Sequence, residues 1–395
     1  MEYTFSRALS DMKPSAIREI FKSLTDPEII AFAAGNPAPE SFPASDFAEL
    51  AAEIFAEEPT KALQYGITEG YPALRAQCAD RLRDRFNSGR DFDDTIIVSG
   101  GQQGLELCCK ALCSEGDAVI CENPSFIGAL NAFRSIGCRT IGVPLTDRGI
   151  DLEKLEAAFK NEPKAKILYV IPTFQNPAGS TTDLETRRGM YALAKKYGII
   201  ILEDNPYGEL RFAGEELPTL KSLDEDGIVV YCGSFSKVLS AGMRIGFVCA
   251  PKPIISKMVV AKQVEDVHTN QLSQMLCSRF IAKRDLDAHI ASVRAIYRGK
   301  CRLMLGELDK VLAGKVKFTR PEGGLFIWCT LPEGVPLDDF VKAAMKRKVA
   351  VVPGTAFNCD PSAPSDSFRI TYSTPSEEQI VRGVALLGEA LDSLR

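Results

Sequence analysis

The sequence predicts an α/β protein in which a mainly parallel sheet is joined to a smaller α+β part. Between residues 95 and 249, short runs are continuously apolar and rich in β-branched residues, as strands buried on both faces require. Stretches with helical periodicity alternate with these runs. The length of 395 residues is enough for about two domains.

The elements can be predicted in chain order. The N-terminal arm contains a predicted short helix at residues 15–24 and a short strand beginning at Ala31. Residues 45–58 and the stretch beginning at Pro72 each place apolar side chains on one helical face. The predicted strands of the large sheet are residues 95–98, 118–121, 167–171, 199–202, 228–231 and 245–249.

The rest of the chain has a different pattern. Residues 257–302 are predicted to be largely helical, and the following region alternates predicted strands with helices. Its strands are expected at 325–328, 349–352 and 368–372, with helices at 338–346 and from Ser376 onward. We therefore expect a large domain at residues 45–290 and a small α+β domain at residues 291–395. The N-terminal arm, residues 1–44, is expected to be part of the small domain.

Composition and charge exclude several classes of protein. The net charge of -5 and the lack of a basic block predict no nucleic-acid partner. The lack of a signal-peptide core or a long apolar run predicts a cytoplasmic protein without a membrane partner. The 12 cysteines are scattered without a CxxC pair, and there are 2 histidines, so we expect free thiols and no metal site.

The most informative stretch is residues 234–246, which follows the predicted strand at 228–231. It offers the hydroxyl of Ser234, the amine of Lys237 and the guanidinium of Arg244. This set suits a phosphate beside a reactive amine. Our hypothesis is that Lys237 forms a Schiff base with pyridoxal phosphate (PLP) and that Ser234 and Arg244 hold the phosphate. The alternative is a surface lysine in a Ser/Gly loop.

Two further features follow the first strands of the large sheet. Gly101 and Gln102 lie in a glycine-rich turn before a helix, which predicts either an anion site or a plain tight turn. Phe126 follows the next strand and would lie beside that turn. It is either a ring that stacks on a planar ligand or a core side chain.

The later strand ends add polar groups. Asn176 is either a donor to a ring oxygen or part of a turn. Asp204 and Tyr207 are suited to a pyridinium proton and a phenolic oxygen, with an acidic, helix-capping loop as the alternative. Because ligands bind at the carboxyl ends of such strands, these groups together would supply what PLP needs.

These motifs resemble the class I/II aminotransferases, which are PLP enzymes of fold type I. The resemblance is strongest to the branch with 2-aminoadipate and kynurenine aminotransferases, and it covers nearly the whole chain. It implies a seven-stranded sheet in the large, PLP-binding domain. Its most specific motifs are residues 100–105, 172–179, 203–207 and 233–237.

The resemblance also implies roles for residues that the patterns alone do not mark. Arg369 matches the arginine that binds the substrate α-carboxylate, and Gly35 matches a glycine whose backbone lies by the substrate. Tyr65 matches a tyrosine that reaches the phosphate of the neighbouring subunit, which implies a homodimer with shared sites. Phe126 stands where many relatives have tyrosine.

The N-terminal helix bears on substrate choice. In the aminoadipate branch, an arginine there can meet an acidic substrate side chain, and Arg18 occupies that kind of position. The alternative is a solvated arginine that pairs with Glu19 or Asp26.

We expect transfer of an amino group from an L-amino acid to a 2-oxo acid, with 2-oxoglutarate as acceptor. The expected donors are 2-aminoadipate, aromatic or branched-chain amino acids, and the freed amine of Lys237 moves the proton from Cα. Alternatives are a C–S lyase or decarboxylase of the same fold and a PLP-sensing transcriptional regulator. The regulator is disfavoured because only about 30 residues, not strongly basic, precede Gly35.

Overall fold

The structure is a computed structural model that describes residues 3–10, 12 and 26–394. The helix predicted at 15–24, and Arg18 within it, lie outside the described residues.

The helices alternate with strands through the middle of the chain, as the periodicity predicts. They are α1 (Arg7–Ser10), α2 (Ala44–Glu57), α3 (Pro59–Leu63), α4 (Pro72–Phe86), α5 (Gly101–Leu112), α6 (Ile127–Ser135), α7 (Leu152–Asn161), α8 (Leu184–Tyr197), α9 (Lys252–Glu265), α10 (Gln271–Lys283), α11 (Leu286–Val311), α12 (Leu337–Lys346) and α13 (Glu377–Asp392).

The strands are β1 (Ile30–Ala31), β2 (Asp93–Val98), β3 (Ala118–Asn123), β4 (Arg139–Thr146), β5 (Gly149–Ile150), β6 (Ala165–Val170), β7 (Ile200–Asn205), β8 (Val229–Ser234), β9 (Gly246–Pro251), β10 (Lys317–Phe318), β11 (Phe326–Thr330), β12 (Val349–Ala350), β13 (Val352–Pro353) and β14 (Ser367–Thr371).

The large sheet has the strand order β2-β9-β8-β7-β6-β3-β4-β5. Strands β4, β3, β6, β7 and β8 run parallel to one another, and β9 is antiparallel to both β2 and β8. This confirms the prediction of an α/β protein with a mainly parallel sheet. The sheet has one more strand than predicted, because the two-residue β5 forms a hairpin with β4 at the edge.

Strand β4 is absent from the runs that the sequence predicts. Its outer position explains this, because Val143 is its one fully buried residue among partly and fully exposed neighbours. By contrast, β6, β7 and β8 lie in the middle of the sheet and are almost wholly buried. Continuous apolar runs therefore mark the largely buried strands and miss β4, which is largely exposed.

A second, antiparallel sheet has the order β10-β11-β14-β13. The single strand predicted at 349–352 is divided in the structure, because β12 pairs with β1 of the N-terminal arm whereas β13 pairs with β14. The pairing of β1 with β12 ties the arm to this C-terminal region. The domain boundaries stay a prediction, and the one at residue 290 falls within α11.

None of the helices in the described part of the chain is long and apolar enough to cross a membrane.

Candidate active site

A cavity of about 350 Å³ lies at the carboxyl ends of β6, β7 and β8, between the two sheets. Its volume is within the range of roughly 300–1,000 Å³ that ligand pockets have. The sequence-predicted residues that line it are Gly35, Gly101, Gln102, Phe126, Asn176, Asp204, Tyr207, Ser234, Lys237, Arg244 and Arg369.

One end of the cavity is suited to an anion. Helix α5 begins at Gly101, and no described side chain caps it, so its first N–H groups have no side-chain acceptor. The preceding Gly100 has φ 81°, and a Cβ there would lie 2.1 Å from Nη2 of Arg244. Because residue 100 is a glycine, there is room for the Arg244 guanidinium to lie close to the N-terminus of α5.

The Arg244 guanidinium is held loosely. Its Nη1 donates to Oγ of Ser236 at 3.3 Å, and its Nη2 donates to the carbonyl of Ser99, also at 3.3 Å. The Ser234 hydroxyl accepts a hydrogen bond from the Ser236 amide at 3.1 Å. A guanidinium has five N–H donors, and the Ser234 hydroxyl still has its own O–H to donate, so both groups keep hydrogen-bonding capacity for an anion in the cavity.

The side chain of Gln102 is already occupied, since its Nε2 donates to the carbonyl of Gly128 at 2.8 Å. A Cβ at Gly128 would lie 2.4 Å from the ring of Phe126, so the half-buried ring packs closely over this glycine. Because its side-chain amide is already bonded, Gln102 presents its backbone N–H group to the cavity.

Asp204 is a buried carboxylate with a single neutral donor among the described residues. It is 5% exposed, and its Oδ2 accepts a hydrogen bond of 2.8 Å from the hydroxyl of Tyr169. Burial raises its pKa to about 7, and the Tyr169 hydrogen bond opposes that rise. Sequence reasoning missed Tyr169, although a tyrosine within an aliphatic strand needs a partner for its hydroxyl.

A second buried carboxylate, Glu122, lies behind the loop that bears Asn176. Its Oε2 accepts hydrogen bonds from the Ile171 amide at 3.0 Å and from Nε2 of Gln175 at 3.1 Å. Gln175 in turn accepts from the Ala178 amide at 2.8 Å. Burial raises the pKa of Glu122 to about 8. Near pH 7, Glu122 is therefore largely a neutral acid, and its hydrogen bonds position the loop that bears Asn176. Sequence reasoning missed this residue.

Lys237 also lines the cavity. Its Nζ donates to the carbonyl of Gly35 at 2.7 Å. Burial lowers the pKa of Lys237 to about 8, and the positive charges of Arg369 and Arg244 contribute to that lowering. The ammonium group thus loses its proton much more readily than an ordinary lysine does.

Arg369 is the most deeply buried cation of the cavity, at 2% exposed. Its Nη1 donates to Oδ1 of Asn176 at 2.7 Å and its Nη2 donates to the carbonyl of Ala33 at 2.8 Å. Its Nε has no hydrogen-bond partner, and none of its partners among the described residues is acidic. Burial lowers its pKa to about 10.

An aromatic wall surrounds this arginine. The guanidinium carbon is 4.1 Å from the ring centroid of Phe326 and 5.0 Å from that of Phe357. Tyr207, which is 4% exposed, packs edge-on against Phe326 at 5.7 Å between centroids. Burial raises the pKa of the Tyr207 hydroxyl, so it stays a donor. Sequence reasoning missed Phe326, since nothing in its strand distinguishes it from a core phenylalanine.

One predicted site residue that the structure describes is not among the residues that line this cavity. Tyr65 is 82% exposed and packs edge-on against His268 at 5.8 Å between centroids, outside the cavity. Arg18 lies outside the described residues.

The architecture is that of a fold-type-I enzyme, with a ligand cavity at the carboxyl edge of a mainly parallel sheet. Residues 27–387 match the family model for aminotransferase class I and II. The chain therefore belongs to the class I/II aminotransferases and is a PLP-dependent enzyme that transfers amino groups.

Named relatives agree with this membership. The chain is 38% identical to aromatic-amino-acid aminotransferase 1 of Thermococcus litoralis, over 99% of this chain and 94% of the relative. It is similar to the crystal structure of Pyrococcus horikoshii kynurenine aminotransferase in complex with PMP, at 37% identity, TM-score 0.94 and coverage of 98% and 97%. It is also similar to LysN, alpha-aminoadipate aminotransferase from Thermus thermophilus, complexed with N-(5'-phosphopyridoxyl)-L-leucine, at 38% identity, TM-score 0.90 and coverage of 99% and 97%.

The cavity is chemically compatible with PLP. The helix N-terminus at Gly101 and the loosely held Arg244 are suited to a phosphate. The buried Asp204 has no cationic partner among the described residues, and a protonated ring nitrogen would provide one. The Lys237 amine, with its lowered pKa, is suited to bond a carbonyl carbon.

Proposed function

We propose that this aminotransferase moves the amino group of an L-amino acid to 2-oxoglutarate, with 2-aminoadipate, aromatic or branched-chain amino acids as donors. The observation that supports this most directly is the buried Arg369, whose guanidinium has no acidic partner among the described residues. An α-carboxylate, which donor and acceptor share, would supply that charge in a bidentate geometry.

The first group of residues would bind the phosphate and one face of the cofactor ring. Ser234, Arg244 and the backbone amides at Gly101 and Gln102 surround the anion end of the cavity. The ring of Phe126 lies beside them and would stack on the cofactor ring.

The second group would set the electronic state of the cofactor. Asp204 would pair with the ring nitrogen, while Tyr207 and Asn176 would donate to the ring oxygen. Bound PLP supplies an electron-withdrawing ring, which protein side chains lack. A cation beside Asp204 would lower its raised pKa and keep it ionised.

Lys237 would bind the cofactor and carry out the proton transfer. Its pKa of about 8 leaves part of the population neutral near pH 7, so Nζ can accept a proton from substrate Cα and return it. Its present acceptor is the carbonyl of Gly35, a residue that lines the cavity near the expected substrate position. A donor carboxylate on Arg369 would orient Cα toward this amine.

The range of donors is proposed from the cavity wall and from the relatives. Ile171, Leu105 and Phe326 give the cavity apolar surface that suits aromatic or aliphatic side chains. An acidic donor would need a further cation, and our hypothesis assigns it to Arg18. Unchanged kinetics of Arg18→Ala with both glutamate and 2-aminoadipate would exclude that assignment.

The reaction class is tested in a half-reaction. A donor added to the holoenzyme without acceptor should yield equal amounts of its 2-oxo acid and pyridoxamine phosphate. Carbon dioxide or a thiol as the product would indicate a decarboxylase or a C–S lyase instead. A panel of donors with 2-oxoglutarate as acceptor then gives the order of preference.

We also propose that the enzyme is a homodimer with shared sites. Leu63, Tyr65, Ile67 and Val264 are large apolar side chains that are more than half exposed, and Tyr65 contacts His268 near the end of α9. Large apolar side chains that are this exposed are suited to burial against another protein surface. A second copy of the chain would bring Tyr65 to the partner's phosphate site.

Dimers that combine two different variant subunits test directly whether both subunits contribute to each active site. A dimer of two Lys237→Ala subunits would be inactive at both sites. A dimer of two Tyr65→Ala subunits would be impaired at both sites. In a mixed dimer, one site would contain both substitutions and the other would contain neither, so mixing should restore part of the activity. Activity that only averages the two variants would show that Tyr65 acts within its own subunit or not at all.

A further inference from the structure

Three thiols converge at the C-terminal end of α5. Cys109 lies in the last turn of the helix, Cys113 is the residue that terminates it, and Cys138 comes directly before β4. Their sulfur atoms lie within 4.8 Å of one another, and the sulfurs of Cys109 and Cys138 are 3.7 Å apart. The fold therefore assembles a cluster from residues that are up to 29 positions apart.

The cluster is largely buried. Cys109 is 0% exposed and Cys138 is 5% exposed, whereas the residue Cys113 is partly exposed. Cys113 is therefore the most exposed member of the cluster.

The cluster is separate from the cofactor site. Helix α5 lines the cavity with Gly101, Gln102 and Leu105, and none of the three cysteines is among the lining residues. At a rise of about 1.5 Å per residue, Cys109 lies about 6 Å beyond Leu105 along the helix. The cysteines therefore do not line the cofactor site, although the cluster begins one helical turn from it.

The sulfur spacing matches a metal site. Zinc–sulfur bonds are about 2.3 Å long in tetrahedral sites, which places neighbouring sulfurs ~3.8 Å apart. The Cys109–Cys138 separation of 3.7 Å is already at that value. With the sulfurs no more than 4.8 Å apart, closing any remaining gap needs a movement of about 1 Å or less.

We propose that Cys109, Cys113 and Cys138 bind a single thiophilic divalent cation of the zinc type through three thiolates, with solvent in the fourth position. Each thiol loses its proton to solvent as its sulfur–metal bond forms, and no oxidant or reductant takes part.

The test uses the holoenzyme, kept reduced with a phosphine, and cadmium as the probe ion. We expect one cadmium per chain, with the ultraviolet absorption of thiolate–cadmium charge transfer. Cys138→Ser should weaken binding at least tenfold and reduce that absorption. Cys108→Ser is the matched control, because Cys108 is buried on the same helix outside the cluster, and it should bind cadmium as the parent does.

Circular dichroism and the melting temperature establish that each variant folds. If Cys138→Ser does not fold, the partly exposed Cys113→Ser takes its place with the same expected loss. The proposal is overturned by a reduced parent without the charge-transfer absorption, or by folded cluster variants that bind as tightly as Cys108→Ser.

Discussion

The two sheets contribute to one cavity in different ways. The eight-stranded sheet places its polar groups just beyond or at the ends of strands, as with Asp204 on β7 and Lys237 after β8. The four-stranded sheet places Arg369 in the middle of β14, next to β11 with Phe326. The large sheet presents groups from strand ends and loops, whereas the small one presents a group from within a strand.

Burial shifts the pKa values of the acidic group on the large sheet and the basic group on the small sheet in opposite directions. Burial raises the pKa of Asp204 and lowers the pKa of Arg369, so in each case it disfavours the charged form. Neither group has an oppositely charged partner among the described residues. On our proposal, Asp204 of the large sheet would meet the cationic ring nitrogen of the cofactor, and Arg369 of the small sheet would meet the carboxylate of the substrate.

The largest expected effect is on the side of the large sheet. Lys237→Ala should lower turnover by roughly a thousandfold, because on our proposal Lys237 is the group that moves the proton. It should also abolish covalent trapping of PLP by borohydride. Lys257→Ala on α9 is the control and should change neither property. Trapped cofactor in Lys237→Ala would mean that another amine bonds PLP.

The substitution on the side of the small sheet should affect substrate and not cofactor. Arg369→Gln removes a charge-assisted contact of about 1.5–3 kcal/mol, so KM for the amino donor should rise roughly tenfold to a hundredfold. The visible spectrum of the bound cofactor should stay unchanged. Loss of PLP with an unchanged KM would contradict the division between the sheets.

A smaller effect is expected from the group that supports Asp204. Tyr169→Phe removes a hydrogen bond that lowers the pKa of Asp204. The acidic limb of the kcat profile should therefore move to higher pH, and PLP affinity should fall several-fold for a loss of about 1 kcal/mol. Tyr197→Phe is the control, because Tyr197 donates to the surface residue Glu156. An unshifted profile would show that Tyr169 is only structural.

The last prediction concerns stability rather than activity. The pKa of Glu122 is raised from 4.5 to about 8, so the folded protein holds this proton more tightly than the unfolded chain. Its contribution is present in full below pH 4.5 and is lost as pH rises toward 8. Glu122→Gln should thus stabilise the protein more at pH 8.5 than at pH 4.5, as denaturation curves would measure. An equal change at both pH values would contradict the raised pKa.

Much of the large sheet can be predicted from sequence because its central strands are buried on both faces. Apolar runs alone identify strands β6, β7 and β8, and the residues that follow them are the correct place to look for polar groups. The small sheet is harder to predict. The run at 349–352 predicts one strand where the structure has β12 and β13, since consecutive apolar residues do not reveal a change of pairing partner.

The sequence by itself determined the α/β class, the central strands and the residues at their carboxyl ends, because burial on two faces dictates a recognisable composition. Only the tertiary structure decided which side chains meet. It brought Arg369 against Asn176, Tyr169 against Asp204, and Cys109 against Cys138, from positions as much as 193 residues apart. Such pairs depend on how sheets and helices pack, and local periodicity contains no information about that packing.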